Sequence, residues 1–111
     1  MRQFRQLQVS KQGDVYVVRF LQPRLSDSLA VEVGEELYWV AQQPDCTRLL
    51  LNFSGVEHLS SAVLGKLLSL NRKMKQKGKL KACEISPGLR SAFMWTVLET
   101  ADTEPNALKA F

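Results

Sequence analysis

The apolar positions along this chain change period several times, and each change marks an element. Leu49-Leu50-Leu51 is a continuous apolar run. After a turn at Ser54-Gly55 the apolar residues recur at helical spacing through Val63, Leu64, Leu67, Leu68, Leu70 and Met74. This predicts a buried strand feeding a helix, in a stretch that runs from Leu49 to Lys77. Upstream, Phe4, Leu7 and Val9 are followed by Val15 to Phe20, with Gln12-Gly13-Asp14 between them. That spacing predicts a β-hairpin whose second strand, rich in β-branched and aromatic residues, is buried on both faces. Gly13 stands where such a turn wants a positive φ. Ser26 or Asp27 then caps a helix through Ala30, Val33, Leu37 and Val40 to about Gln42. Pro44 ends it, and Thr47 to Phe53 forms the next strand.

Gly78 is a breaker after the central helix, and Leu80 to Ile85 is apolar enough for another buried strand. Ser86-Pro87 has the form of an N-cap and first helical position, with Leu89, Phe93 and Val97 as the buried stripe. Leu98 to Ala101 fits a short final strand. Asp102 or Thr103 caps a terminal helix with Pro105 in its first turn and Ala107, Leu108 and Phe111 as its apolar residues. Strands alternating with helices after an antiparallel start predict an α/β architecture of two or three layers with a mostly parallel sheet. Val63, Leu64, Leu67, Leu68, Leu49, Leu51, Val17 and Ile85 are expected to meet in one core.

Composition narrows the class. A length of 111 residues is that of one domain, and 45% hydrophobic with 23% charged residues is an ordinary globular balance that needs no disulfide or metal staple. Cys46 and Cys83 have no CxxC spacing and no His/Cys cluster around them, so both are expected as reduced thiols, Cys83 as a small core hydrophobe. The first residues, MRQFRQLQVSKQ, contain no apolar segment of the signal-peptide kind, and no run approaches the ~20 apolar residues of a membrane span. A cytoplasmic location is expected. The net charge of +4 is unevenly spread: Lys66, Arg72, Lys73, Lys75, Lys77, Lys79 and Lys81 form a tract with no acid, while Asp27 to Asp45 is dominated by Glu32, Glu35 and Glu36. A basic face raises a nucleic-acid reading. The tract nevertheless lacks interleaved aromatics for base stacking, and basic residues in a last helical turn also complement the helix dipole.

Ser60 and Ser61 fall where the central helix begins, the place where backbone N–H groups lack partners and a serine hydroxyl or an anion is most favourable. His58 lies two and three residues before them. Nucleophilic catalysis needs a base within hydrogen-bond reach and an orienting carboxylate, and no GxSxG elbow is present. With one histidine, no GxxxxGK[ST] loop and no GxGxxG, metal, nucleotide and dinucleotide chemistry lack their usual ligands. No cofactor and no enzymatic activity are expected.

The strand LLLNFSGV, the serine corner HLSSAVLGKLL, the helix ending KQKG, the strand LKACEI and the following SPGLRSAF together resemble the STAS domain of bacterial anti-sigma factor antagonists, over nearly the whole chain. The resemblance implies an α/β STAS-like single domain spanning residues 1–111. It implies a mixed, mostly parallel sheet of about four or five strands, about four helices and an N-terminal antiparallel hairpin. The family's central turn commonly reads Asp-Ser-Ser/Thr-Gly-Leu-Gly. Anchoring on Leu64-Gly65 aligns Ser60 with the aspartate, Ser61 with the residue phosphorylated by a partner kinase, Ala62 with the next small polar residue and Val63 with the glycine. The acceptor position is kept, whereas the aspartate and the glycine are not. By resemblance, Ser61 is the phosphoacceptor with Ser60 as second candidate, and His58, Ser60, Ser61 and Ala62 form the partner-binding corner. The implied partner is an anti-sigma factor or a serine protein kinase of the partner-switching type, with no membrane involved and the chain a monomer or weak dimer. Two other readings stand beside this one: a nucleic-acid-associated module using the Lys66 to Lys81 face, and a scaffold subunit of a sensory assembly in which Ser61 is only a cap.

Overall fold

The computed structural model describes residues 3–90 and 98–111. Strands β1 (Leu7–Gln12) and β2 (Val15–Phe20) form the antiparallel hairpin, with Leu7 opposite Phe20 and Gln12 opposite Val15. Gly13 takes φ +61° in the turn, a conformation that side chains disfavour. The chain continues through β3 (Arg24–Leu25), a single 3₁₀ turn (Asp27–Leu29), α1 (Ala30–Ala41), β4 (Arg48–Asn52), β5 (His58–Leu59), α2 (Ser61–Lys75), β6 (Lys79–Cys83), α3 (Pro87–Arg90), β7 (Glu99–Ala101) and α4 (Glu104–Ala110). The main sheet has the order β1-β2-β4-β6-β7, with every pair after the hairpin parallel. The expected architecture is therefore present. Two details differ. Ser26 caps the 3₁₀ turn rather than α1, and its hydroxyl pairs with that of Ser28 at 3.0 Å instead of a backbone N–H. Strands β3 and β5 also form a separate parallel ladder, Arg24 beside His58 and Leu25 beside Leu59. Phe93 and Val97 lie outside the described residues.

The apolar run of β4 is explained by burial on both faces. In parallel register Val17 pairs with Leu50 and Val18 with Leu51, and side chains alternate between faces along each strand. Val18, Leu49, Leu51 and Ala82 pack with Val33, Leu37, Leu67 and Leu70 of α1 and α2. Leu50, Val15, Val17 and Cys83 pack with Ala107 of α4, with Leu108 and Phe111 against them. The layers are helices α1 and α2, the sheet, then α4. The expected single core needs correcting at Val17. It belongs to the smaller α4-side cluster, because Val17 and Val18 are strand neighbours and cannot share a face. Leu64 and Leu68 are half-buried at the edge of the larger one.

Two contacts fix the helical layer. A Cβ on Gly78 would stand 1.9 Å from the Thr47 carbonyl oxygen, which the Lys79 N–H reaches at 2.9 Å, so α2 returns to the sheet through a backbone approach open only to glycine. At the other edge, the buried Glu36 carboxylate accepts from the Arg5 N–H at 2.8 Å and the Gln6 N–H at 3.0 Å, tying the segment before β1 to α1. Both cysteines are buried and free, and burial pushes their thiols up to about 11 for Cys46 and about 12 for Cys83. Neither carries the thiolate that reactivity requires.

Leu67→Ala should cost ~2–5 kcal/mol by urea denaturation, as the loss of a fully buried leucine does. Gly78→Ala should cost ~1–3 kcal/mol or more in the same measurement, because the obstructing atom is backbone. A Gly78→Ala protein as stable as wild type would contradict the close approach.

Candidate functional site

The corner between β4 and α2 is built by backbone hydrogen bonds. Beyond β4 the Asn52 side-chain oxygen accepts from the Ser54 N–H at 2.8 Å, and Gly55 turns the chain at φ +82°. The Pro23 carbonyl then accepts from both the Glu57 and His58 N–H groups, at 2.7 and 3.2 Å. The Ser60 N–H donates to the Leu25 carbonyl at 2.9 Å. Strand β3 thus holds the approach to α2 along its length.

Ser60 is the N-cap of α2. Its backbone is extended, φ −75° and ψ 161°, its Oγ accepts from the Val63 N–H at 3.2 Å, and its carbonyl accepts from Leu64 N–H at 3.0 Å. The residue is only 9% exposed. Ser61, the first helical residue, is exposed, as are Ala62 and His58. The first turn of α2 carries no acidic residue. The two serines therefore diverge: one hydroxyl is committed to the helix and the other faces solvent. A capping role for Ser61 is not what the geometry gives, because the N-cap residue is the one outside the first turn.

Serine and aspartate are nearly equal N-caps, so Ser60 serves the cap as well as an aspartate would. Val63 is helical and fully buried, and the positive φ of the connection is supplied earlier, by Gly55. A glycine at position 63 is thus not needed to make the turn. Sequence reasoning missed Arg24, an exposed cation that the β3–β5 ladder places beside His58. Two-residue strands carry no periodicity, and the only trace of this ladder was the isolated pair of apolar residues Leu25 and Leu59.

The basic tract does not form one face. Lys77 Nζ donates to the Ala41 and Gln43 carbonyls at 2.5 and 3.0 Å, closing the end of α1. Lys73 lies over the Tyr38 ring at 5.4 Å, and the Lys66 stem runs against Gly34, where a Cβ would meet Lys66 Cδ at 2.8 Å. Arg72 donates to Ser69 Oγ at 3.2 Å, and the buried Lys81 pairs with Glu99 and lies 5.6 Å from the Phe111 ring centre. The side chains of Lys75 and Lys79 make no hydrogen bond, ion pair or ring contact among the described residues. Among those residues no group of His, Cys, Asp and Glu is placed to hold a metal ion, and no helix is long and apolar enough to cross a membrane.

The fold is that of STAS-domain anti-sigma-factor antagonist proteins. The chain superposes on a STAS-domain anti-sigma-factor antagonist protein from Planctomyces limnophilus with TM-score 0.82, at 22% identity over 94% of this chain and 95% of that one. An anti-sigma factor antagonist from Mycobacterium paratuberculosis gives TM-score 0.79 at 22% identity, over 94% and 91%. The Bacillus cell fate determinant SpoIIAA in its phosphorylated form gives 0.73 at 20% identity, over 94% and 97%. No protein-family model and no curated protein matches the chain by sequence.

Ser60→Ala should cost ~0.5–2 kcal/mol of stability, whereas Ser61→Ala should stay within about 0.5 kcal/mol of wild type. Chemical denaturation of the two variants measures the difference, and the reverse order would contradict the capping geometry. The Lys81 ammonium holds the Glu99 carboxyl below its ordinary value of 4.5. A carboxyl depressed in the folded state stabilises fully above its unfolded value, and that share is lost as pH falls through the depressed one. Glu99→Gln should therefore be less stable than wild type at neutral pH and converge with it in acid.

Proposed function

We propose that this chain acts as one STAS-like regulatory unit of the anti-sigma factor antagonist kind. Its binding to a partner is controlled by phosphorylation of Ser61. The observation that carries this reading is the division between the two serines. Ser60 is buried in the cap, and the Ser61 hydroxyl is left in solvent at the N-terminus of α2, in the position that aligns with the family's phosphoacceptor. That SpoIIAA, similar in fold, exists in a phosphorylated form supports it further. A phosphoryl group adds about −1.5 to −2 charges at pH 7, which the N-terminal end of α2 tolerates, so the fold stays intact. The change is one of surface. With no acid in the first turn, the corner passes from near neutral to strongly anionic. A partner docked on His58, Ser61 and Ala62 would then have to desolvate a dianion.

The partner in this reading is an anti-sigma factor or a serine kinase of the partner-switching type, and the compartment is the cytoplasm. The role is binding rather than catalysis: the His58 side chain is exposed and, among the described residues, makes no hydrogen bond that would orient it as a base toward Ser61. The nucleic-acid alternative loses its main support, because most of the basic tract is engaged within the fold. A scaffold role differs from the switch at one point, the response of binding to charge at position 61.

The test uses the partner recovered from the native host and purified, with binding measured for wild type, Ser61→Ala, Ser61→Asp and Ser61→Glu. The switch predicts that the alanine protein binds as wild type does. The acidic variants should remain folded and bind at least about tenfold more weakly, the equivalent of ~1.4 kcal/mol. Equal affinity for all four, with no ATP-dependent labelling of Ser61 by the partner, would leave the corner as a structural turn.

A further inference from the structure

The fold brings Arg24 to the Ser61 corner from a different part of the chain. In the β3–β5 ladder Arg24 stands in register with His58 and Leu25 with Leu59. Leu25 is fully buried, so its neighbour Arg24 is turned to the opposite, solvent-facing side, and His58 is turned out beside it. The pairing continues past the ladder: the Leu25 carbonyl accepts from the Ser60 N–H at 2.9 Å, which keeps β3 alongside the chain up to the residue before Ser61. With strands about 4.8 Å apart and a rise of ~3.3 Å per residue, the Cα atoms of Arg24 and Ser61 are no more than about 12 Å apart. An extended arginine reaching toward a phosphorylated serine covers that span. The Arg24 side chain makes no hydrogen bond, ion pair or ring contact among the described residues. The exposed carboxylates nearest to it and to His58 along the chain, Asp27 and Glu57, are not paired with either. The first lysine of α2, Lys66, has its stem engaged on Gly34.

Resting on the reading of Ser61 as the phosphoacceptor, we propose that Arg24 is the residue that receives the phosphoryl group: once Ser61 is modified, the guanidinium holds two of its oxygens and fixes it against β3. The modification itself is the kinase's work. Ser61 Oγ bonds to the γ-phosphorus of ATP, ADP leaves, the hydroxyl proton is released, and Arg24 acts only on the product. A guanidinium and an uncharged hydroxyl have little to offer each other, whereas a guanidinium and a phosphoryl group form a bidentate, charge-assisted pair that a lysine's single ammonium does not match. Both partners sit on segments that backbone hydrogen bonds already hold together, so the ordering left to do is that of the two side chains. The phosphoryl group carries about −1.5 to −2 charges at pH 7, so one guanidinium leaves the corner anionic. What the clamp adds is position. A partner then loses two things in one event, because the hydroxyl becomes an anion and the unpaired guanidinium of the docking corner is drawn into a pair within the chain.

The experiment is a ³¹P NMR pH titration of the full chain carrying phosphoserine at position 61, installed during synthesis so that neither a kinase nor a partner is needed. An imidazole and the second ionisation of phosphoserine fall in the same pH range and would couple, so every form carries His58→Gln, while Asp27 and Glu57 are left unchanged throughout. A guanidinium in contact favours the phosphate dianion and lowers that second pKa. The N-terminus of α2 acts in the same direction in every form and cancels from the comparison. Arg24→Gln should raise the second pKa by about half a unit, a roughly threefold change in the ionisation constant. Arg48→Gln, at an exposed arginine where β4 begins, should leave it unchanged. All three substituted positions are exposed, and an unchanged ¹⁵N spectrum away from each verifies the fold. The same pKa with and without Arg24 would overturn the clamp, and so would an equal rise in the Arg48→Gln form, which would reduce the effect to the general charge of the surface. Either result would leave the switch at Ser61 standing, whereas a lack of ATP-dependent labelling of Ser61 strikes the switch itself and not the contact measured here.

Discussion

The corner between β4 and α2 depends on the way Ser60 is held from two sides. Its N–H is fixed to the Leu25 carbonyl of β3, and its Oγ is fixed to the Val63 N–H of α2. The first bond sets where the strand segment ends and the second sets where the helix begins. An α-helix turns about 100° per residue, so a start displaced by one residue would rotate every later side chain by that angle. Val63, Leu67 and Leu70 would leave the core they now fill. The exposure of Ser61 is therefore a consequence of core packing: with Val63 buried two positions later and Ser60 turned inward as the cap, the intervening residues face solvent.

The same economy explains the basic tract. A run of lysines without acids reads as an interaction surface, but a lysine has an apolar stem and a cationic tip that can be used separately. Lys66 uses its stem against Gly34, Lys73 its charge over Tyr38, and Lys77 its ammonium on the Ala41 and Gln43 carbonyls where α1 ends. These contacts join α1 and α2, which otherwise meet through apolar side chains, and they fix how the helical layer lies on the sheet. Gly78 completes the arrangement by letting α2 return to the sheet directly beside Thr47.

Most of the fold was legible in the sequence because it is written in period. The hairpin, the β4–α2 unit, the strand after Gly78 and the Thr103-capped terminal helix all follow from apolar spacing and breakers. What was not legible has no period. The β3–β5 ladder is two residues long on each side, and its partners lie 34 positions apart, yet it is what anchors the corner and brings Arg24 beside His58. Val17 was assigned to the wrong core because a strand buried on both faces shows no alternation, and only the register with Leu50 reveals which side it takes. At the corner itself the residues could be named from sequence, but not their division of labour. Two adjacent serines before a helix are equivalent until the backbone shows which one is extended and which is helical.

The separation of a capping Ser60 from a free Ser61 is tested most directly by incubating the chain with ATP and the kinase that the proposed function calls for, and mapping any phosphate by fragmentation that distinguishes adjacent serines. The geometry predicts phosphate on Ser61 alone, since modification of Ser60 would require breaking the bond from Val63 and exposing a buried hydroxyl. Phosphate on Ser60 with Ser61 unmodified would contradict it.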